Sequence, residues 1–204
     1  MKLLFVNACV RPQSRTLALC KEYIRLLSEQ CDVDVTEIDP IRSDMRSFSY
    51  EMLVQRDKDI ADNDFSSDRY FAARAFAEAD AILIGAPYWD CSFPSSVKVF
   101  FEHICVNSLT FRYEKGECVS MCRAKQLCYI TTAGGYIGDK NSAESYIRDM
   151  CGMFGIEKVS FFSAEGIDIY GNDTEAILER TRQQIEDSFK QGVLLSAYAE
   201  SRLG

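Results

Sequence analysis

Short apolar runs alternate with longer amphipathic stretches along the whole chain. The runs at residues 2–6 and 81–86 are almost continuously apolar, which is typical of strands buried on both faces of a parallel sheet. Further strands are predicted at 126–132 and 158–163. At residues 33–38 the apolar positions alternate with acidic ones, so we expect that strand to lie nearer an edge of the sheet.

Between these runs, apolar residues recur three and four positions apart, the spacing of one helix face. Ser95 is the expected N-cap of one such helix, and Gly155 is expected to end another before the last strand. Residues 110–113 and 117–120 are expected to pair as a small ribbon. The predicted helices are one carrying Leu17, Cys20, Ile24 and Leu27, a short one at 50–57, and others at 68–79, 95–106, 142–153 and 173–189.

Five strands separated by helices predict an α/β fold, a doubly wound five-stranded parallel sheet with helices on both faces. Right-handed crossovers place the helices there. We expect a single domain over residues 1–204, in which residues 40–79 form a helical insertion that could serve as a dimer or lid element.

The composition excludes several classes of protein. The 204 residues are 47% hydrophobic and 26% charged, which is ordinary for a globular protein and excludes intrinsic disorder. A net charge of −8 makes nucleic acid and membrane surfaces poor partners, because both are anionic. The apolar start of the chain is too short for a signal peptide, so we expect a cytoplasmic protein.

Nine cysteines are spread along the chain without close C-x-x-C pairs. Their spacing favours reduced thiols that pack as small hydrophobic residues over a disulfide framework or a metal site. The single histidine, His103, argues against a His-based metal site or a Ser/His relay. We therefore expect no metal.

The segment after the first predicted strand, residues 7–16, opens directly onto a helix. It has neither a G-x-G-x-x-G dinucleotide fingerprint nor a P-loop motif. It offers hydroxyls and backbone N–H groups at a helix amino terminus, beside Arg11 and Arg15, a combination that suits a phosphate monoester. The alternative is structural, because Ser14 before an amphipathic helix is also good capping chemistry.

Residues 87–94, after the most hydrophobic strand, place Tyr88, Trp89 and Phe93 between two prolines. Exposed aromatic side chains on a stiff loop are costly unless something covers them. The pattern therefore favours an aromatic wall for a planar ring system. The alternative is a satellite core under the following helix, which would absorb Phe93 more readily than the other two.

Residues 131–136 end the fourth core strand in two glycines followed by Tyr136. The glycines would let the backbone approach a ligand closely, although a plain turn needs them equally. All three segments fall at strand carboxyl ends, where doubly wound sheets bind ligands. A ligand with a phosphate at one end and a planar ring at the other would contact all three, and flavin mononucleotide (FMN) has that shape.

Several short motifs follow one another along nearly the whole chain. They are Ser14-Arg15-Thr16, Ala86-Pro87-Tyr88-Trp89-Asp90 with Phe93-Pro94 and Lys98, Thr110-Phe111-Arg112-Tyr113, Thr132-Ala133-Gly134-Gly135 and Ala164-Glu165-Gly166. In this order they resemble the motifs of the FMN-dependent NAD(P)H azoreductase and NAD(P)H:quinone oxidoreductase family, which has a flavodoxin-like fold. The resemblance implies bound FMN, NADH or NADPH as co-substrate, and hydride transfer through flavin N5 to a small aromatic acceptor such as a quinone, azo or nitro compound. It also implies a homodimer, for which Phe48 and Tyr50 are where we expect a partner's contribution.

The resemblance also implies which residues bind the cofactor. Ser14, Arg15 and Thr16 would hold the phosphate, with Cys9 where the family often has Ser. The flavin ring would lie against Pro87, Tyr88, Trp89, Asp90 and Cys91 on one loop and against Thr132, Ala133, Gly134 and Gly135 on another, with Tyr136 at the mouth. No side chain is implied as a catalytic acid or base.

The sequence departs from the family pattern at two positions near the ring. Asp90 stands where a typical azoreductase has Asn, and Ile137 replaces a His that some members carry. These departures bear on the substrate and the redox potential more than on the cofactor. Three alternatives stay open: a flavin reductase that uses FMN as a substrate, a flavodoxin-type electron carrier, and a non-enzymatic redox sensor.

Overall fold

Strands and helices alternate along the chain in the computed structural model, which describes residues 1–43 and 45–191. The strands are β1 (Lys2–Asn7), β2 (Asp34–Ile38), β3 (Ala81–Gly85), β4 (Phe111–Glu114), β5 (Glu117–Ser120), β6 (Gln126–Ala133) and β7 (Lys158–Glu165). The helices are α1 (Arg15–Gln30), α2 (Tyr50–Asp62), α3 (Phe71–Glu78), α4 (Ser95–Ile104), α5 (Ser142–Met153) and α6 (Thr174–Lys190), and a 3₁₀ turn at Asp68–Tyr70 leads into α3. Residue 44 and residues 192–204, which the predicted single domain includes, lie outside the described residues.

The five core strands form one parallel sheet in the order β2-β1-β3-β6-β7. The chain runs from β1 outward to β2 and then returns past β1 to β3, so the strand order reverses between β1 and β3. This is the flavodoxin-like topology, and it confirms the predicted fold class, with β2 at an edge. Ligands of such sheets bind beyond the strand carboxyl ends at that reversal.

Two apolar layers cover the two faces of the sheet. Successive side chains of a strand point to opposite faces, so Leu3 and Phe5 pack with α1 and α6, whereas Leu4 and Val6 pack with α3, α4 and α5. Strand β3 is buried along its whole length, which explains why its sequence shows no alternation. Helices therefore lie on both faces, as the crossover argument requires.

Helix α1 lies unusually close to the sheet at Gly85. A Cβ built on Gly85 would collide with the Sγ of Cys20 and lie 3.4 Å from the ring of Phe5. Cys20 is fully buried on the inner face of α1. The absence of a side chain at the end of β3 therefore sets how near the helix can approach.

Local differences from the sequence-based predictions have simple causes. The predicted N-cap at Ser95 is wrong: Pro94 is the N-cap of α4, and no side chain caps this helix. Pro94 has the extended ψ of 146° that suits an N-cap, and the N–H that proline lacks would have no intrahelical acceptor at that position. The predicted ribbon is confirmed, with β4 and β5 antiparallel.

The region between β2 and β3 contains a longer helix than the pattern predicted. Helix α2 continues to Asp62 and ends at Asn63, which adopts a left-handed conformation with φ of 51°. None of the residues of α2 is fully buried. Near its start, the ring of Phe48 stacks on His103 with centroids 4.6 Å apart, and the guanidinium of Arg56 lies over the same ring. The role of the insertion at residues 40–79 as a dimer or lid element stays a prediction.

The described part of the chain contains no helix with the length and apolar character needed to cross a bilayer.

The close approach at Gly85 predicts a steric cost. Gly85→Ala should lower the free energy of unfolding by about 1–3 kcal/mol, because the added methyl group must displace Cys20 or push α1 away from β3. Urea unfolding followed by circular dichroism measures this change. Gly152→Ala in α5 is the matched control, since nothing lies within 4 Å of its added Cβ and alanine favours helix. Equal stability of the two variants would contradict the predicted close contact.

Candidate functional site

A cavity of about 750 Å³ opens at the carboxyl edge of the sheet, beside the reversal of strand order. Its wall is built from the loops that follow β1, β3, β6 and β7 together with the first turn of α1. The volume lies within the range of about 300–1,000 Å³ that is usual for small-molecule and cofactor sites. The lining residues are Val10, Arg11, Gln13, Ser14, Arg15, Thr16, Pro87, Tyr88, Trp89, Thr132, Gly134, Ile167 and Asp168.

The amino terminus of α1 forms one end of this cavity. Ser14 is the N-cap, and its Oγ accepts a hydrogen bond from the Leu17 N–H at 3.2 Å, while the Ser14 carbonyl accepts from Ala18. The capping alternative for Ser14 is therefore real, but the hydroxyl proton of Ser14 is not used in that bond. The N–H groups of Arg15 and Thr16 belong to the first turn, where a helix has no internal acceptors for them. This end of the cavity suits an anion.

A hydrogen bond between two threonines joins α1 to β6 at the floor of the cavity. The hydroxyls of Thr16 and Thr132 lie 2.8 Å apart, and both residues are buried. The carbonyl of Thr132 also accepts a bond from the N–H of Tyr88 at 3.0 Å. The first turn of α1, the aromatic loop after β3 and the end of β6 therefore meet at Thr132.

The aromatic loop after β3 is a tight turn. Trp89 and Ser92 exchange two backbone hydrogen bonds, at 2.8 and 2.9 Å. The two residues between them, Asp90 and Cys91, both have positive φ, at 49° and 65°, which is the pattern of a type I′ turn. The turn is fixed to its surroundings, because the Tyr88 hydroxyl donates to the Lys140 carbonyl at 2.6 Å. Trp89 lies at the cavity wall and is 41% exposed.

The loops after β6 and β7 are joined by backbone hydrogen bonds. Ile167 donates to the carbonyl of Ala133 and Asp168 donates to that of Gly134. The carboxylate of Glu165 accepts from the N–H of Ile137 at 2.9 Å, which holds the glycine-containing loop against the end of β7. This pairing explains how the predicted Gly134-Gly135 segment keeps a defined shape.

An ion pair spans the cavity between α1 and the loop after β7. Nη1 of Arg15 lies 3.1 Å from Oδ1 of Asp168, and both side chains are partly exposed. Asp168 and its neighbour Ile167 line the cavity, yet neither belongs to the set of residues predicted from the sequence. The only signal was the Ala164-Glu165-Gly166 motif just before them.

The structure brings most of the predicted binding residues to this one cavity. Eight of them line it: Ser14, Arg15, Thr16, Pro87, Tyr88, Trp89, Thr132 and Gly134. The other six lie beside it without lining it: Cys9 and Ala133 are buried behind the wall, and Asp90, Cys91, Gly135 and Tyr136 are exposed at the rim. Tyr136 is 70% exposed and its hydroxyl lies 3.4 Å from Nδ2 of Asn172.

Comparison with known proteins supports the fold described above. The family model described as "Flavodoxin-like fold" matches residues 1–189. The chain is 28% identical over 199 residues to FMN-dependent NADH:quinone oxidoreductase 2 of Clostridium acetobutylicum, covering 93% of this chain and 98% of that protein. It is 29% identical over 202 residues to an FMN-dependent NADH:quinone oxidoreductase of Coprothermobacter proteolyticus, with the same coverage.

Among solved structures, the azoreductase from Bacillus anthracis strain Sterne superposes with a TM-score of 0.79 at 19% identity. The match covers 92% of this chain and 97% of that one. At this level of identity the likeness is one of fold.

Two thiols near the cavity differ sharply in environment. Cys9 is buried, its Sγ lies 3.6 Å from the carbonyl of Gly85, and burial raises the pKa of its thiol from 9.0 to about 11. Cys91 is exposed in the tight turn. Burial likewise raises the pKa of Cys20 and Cys128, which pack under α1.

This difference predicts selective alkylation. In the native protein at pH 8, iodoacetamide should modify Cys91 and the exposed Cys118 first, whereas Cys9 should react at least about 100-fold more slowly because burial suppresses its thiolate. Peptide mass spectrometry after a timed pulse measures each site, and denatured protein provides the control in which all thiols react. Rapid native labelling of Cys9 would contradict the closed wall behind the cavity.

The raised pKa of Cys9 also predicts a pH dependence of stability. The preference of the folded state for the neutral thiol contributes fully to the free energy of unfolding below pH 9.0 and is lost as pH rises through about 11.

Proposed function

The chain belongs to the flavodoxin-like fold family, and from that premise we propose that it is an FMN-dependent oxidoreductase that uses NADH or NADPH. Bound FMN would supply the hydride chemistry that carries reducing equivalents from the nicotinamide to a small aromatic acceptor such as a quinone, an azo compound or a nitro compound. The proposal includes a cytoplasmic, single-domain protein that works as a homodimer. The relatives that match this chain over 98% of their own length are named FMN-dependent NADH:quinone oxidoreductases. Their names support FMN as the cofactor and NADH as the donor.

One observation carries the proposal. A helix amino terminus with hydroxyl and guanidinium groups and a loop with two aromatic side chains face the same cavity, and Thr132 joins them. A phosphate monoester suits the first end and a planar ring suits the second. FMN combines both parts, and a cavity of about 750 Å³ has room for a molecule of that size.

The residues present fit FMN at the phosphate end. The hydroxyls of Ser14 and Thr16 line this end of the cavity, the N–H groups at the start of α1 have no intrahelical acceptors, and Arg11 and Arg15 add positive charge to an otherwise acidic protein. Oriented donors and a helix amino terminus together favour a dianionic group. The phosphate is therefore assigned to the first turn of α1.

At the other end, Tyr88 and Trp89 would flank the ring, and Gly134 would let the backbone approach it. When bound, FMN supplies the hydride chemistry, while the protein supplies binding, orientation and electrostatics. The turn at residues 89–92 is held by the Tyr88 hydroxyl and by the Ser142 N–H, which donates to the Cys91 carbonyl at 3.2 Å. A fixed wall of this kind orients two planar molecules for direct transfer.

The protein's own groups do not have to move a proton in this reaction. Tyr136, the residue predicted at the mouth of the site, carries a hydroxyl that could donate a proton, and its side chain is largely exposed. Solvent reaches that position equally well. We therefore assign no general acid or base and expect the reaction to depend on orientation and binding.

The first test is a spectrum of the purified protein mixed with FMN and then treated anaerobically with NADH or NADPH. We expect flavin bands near roughly 370 and 450 nm that bleach after the nicotinamide is added. Re-oxidation by a quinone should restore them. The proposed function would be overturned if the protein takes up no flavin. It would also be overturned if the nicotinamide reduces flavin no faster with the protein than without it.

A second test concerns the phosphate end. Replacing Ser14 and Thr16 together by alanine should weaken FMN binding by about tenfold to one hundredfold, because two hydrogen bonds to a charged group are lost. Flavin fluorescence quenching measures the dissociation constant. The variant also loses the hydrogen bond between Thr16 and Thr132 and the N-cap of α1, so its stability must be compared separately.

Ser49→Ala is the matched control for that loss. Ser49 caps α2 through the Met52 N–H but does not line the cavity. It should lower the stability by about 1 kcal/mol without changing FMN binding. Equal FMN affinity in wild type and the double variant would contradict the phosphate assignment.

A further inference from the structure

We propose that Asp168 weakens the hold on the phosphate of the flavin and so makes the flavin exchangeable with free FMN in solution. This inference rests on the proposed function, because it concerns the phosphate end of the same cavity. Asp168 is not among the binding residues predicted from the sequence.

The first step is the position of the Asp168 carboxylate. It lies across the cavity from α1 and accepts a hydrogen bond from Nη1 of Arg15 at 3.1 Å. Arg15 is the first residue of α1 and lies between the two hydroxyl residues assigned to the phosphate. A negative charge is thus paired with the arginine that the cofactor would use.

The carboxylate is held in this position by the backbone around it. The Asp168 N–H donates to the Gly134 carbonyl at 3.0 Å, and the preceding N–H of Ile167 donates to the Ala133 carbonyl. Gly134 also makes room for the side chain, since a Cβ there would lie 2.8 Å from Oδ2 of Asp168. The acid is therefore part of the cavity wall, although much of its side chain is exposed.

The pairing has a consequence for any anion that binds Arg15. That anion must either share the guanidinium with the carboxylate or displace it. In the first case two negative groups lie close together, and in the second the ion pair is lost. Both cases reduce the affinity relative to a cavity with a neutral residue at position 168.

The opposite effect, in which Asp168 would strengthen binding by orienting Arg15, is the smaller of the two. Solvent screens the exposed Asp168 carboxylate equally toward Arg15 and toward a bound phosphate, but a phosphate monoester near pH 7 carries almost two negative charges against the single positive charge of Arg15. Repulsion acts on both charges, and a neutral amide can still accept a hydrogen bond from Arg15. The charge of Asp168 therefore dominates over its role in orientation.

The experiment compares Asp168→Asn with wild type, using FMN and riboflavin as separate ligands. Fluorescence quenching gives the dissociation constants, and the recovery of flavin fluorescence after rapid dilution of the holoprotein gives the rate of flavin release. We expect the variant to bind FMN about tenfold more tightly and to release it more slowly, with riboflavin unchanged because it has no phosphate. The gain should shrink at high salt, since the pair is exposed.

Glu157→Gln is the matched control for net charge. Glu157 is exposed just before β7 and does not line the cavity, so FMN affinity should stay at the wild-type value. Unchanged or weaker FMN binding by Asp168→Asn overturns the inference, as does an equal gain for riboflavin. Failure of both wild type and variant to bind FMN overturns the proposed function instead, so the two failures are distinguishable.

Discussion

The arrangement of the cavity depends on the close contact between α1 and the end of β3. Gly85 has no side chain, so Cys20 can lie directly over its backbone and bring the helix down onto the sheet. One turn before Cys20 on the same helix, the hydroxyl of Thr16 forms a hydrogen bond with that of Thr132 at the end of β6. These two contacts lie one turn apart on α1, and together they hold the helix amino terminus opposite the aromatic loop. A larger residue in place of Gly85 would therefore disturb the candidate site as well as the core.

The aromatic loop illustrates a different physical cost. Two adjacent non-glycine residues, Asp90 and Cys91, adopt left-handed conformations, and aspartate tolerates this better than cysteine. Strain of this kind persists where the surroundings fix the chain. Here the surroundings are the hydrogen bonds of Tyr88 to Thr132 and Lys140. Because Asp90 is exposed at the tip of this turn, its carboxylate is solvated, which would weaken its effect on the flavin ring that we propose lies against Trp89.

The sequence predicted the fold well because buried parallel strands and amphipathic helices leave strong local patterns. All five core strands and the ribbon were identified, and the helix at 142–153 has the predicted bounds. The errors occur where local chemistry is ambiguous. Ser95 and Pro94 are both acceptable at a helix start, and the helix begins one residue earlier than the capping prediction implied, with Pro94 as its N-cap. Helix α2 has no buried face, so hydrophobic spacing gave little indication that it continues to Asp62.

The candidate site was less predictable, because it depends on contacts between distant segments. Loop composition indicated the residues after β1, β3 and β6, since hydroxyls, aromatic rings and glycines are locally unusual there. Asp168 has no such mark: its importance comes from Arg15, which lies 153 positions earlier. The pattern also ended the last strand at residue 163, whereas β7 continues to Glu165 and carries the following loop up to the cavity. The ion pair between Asp168 and Arg15 joins the loop after β7 to the first turn of α1. Because it forms only when the chain folds, only the folded structure identifies it.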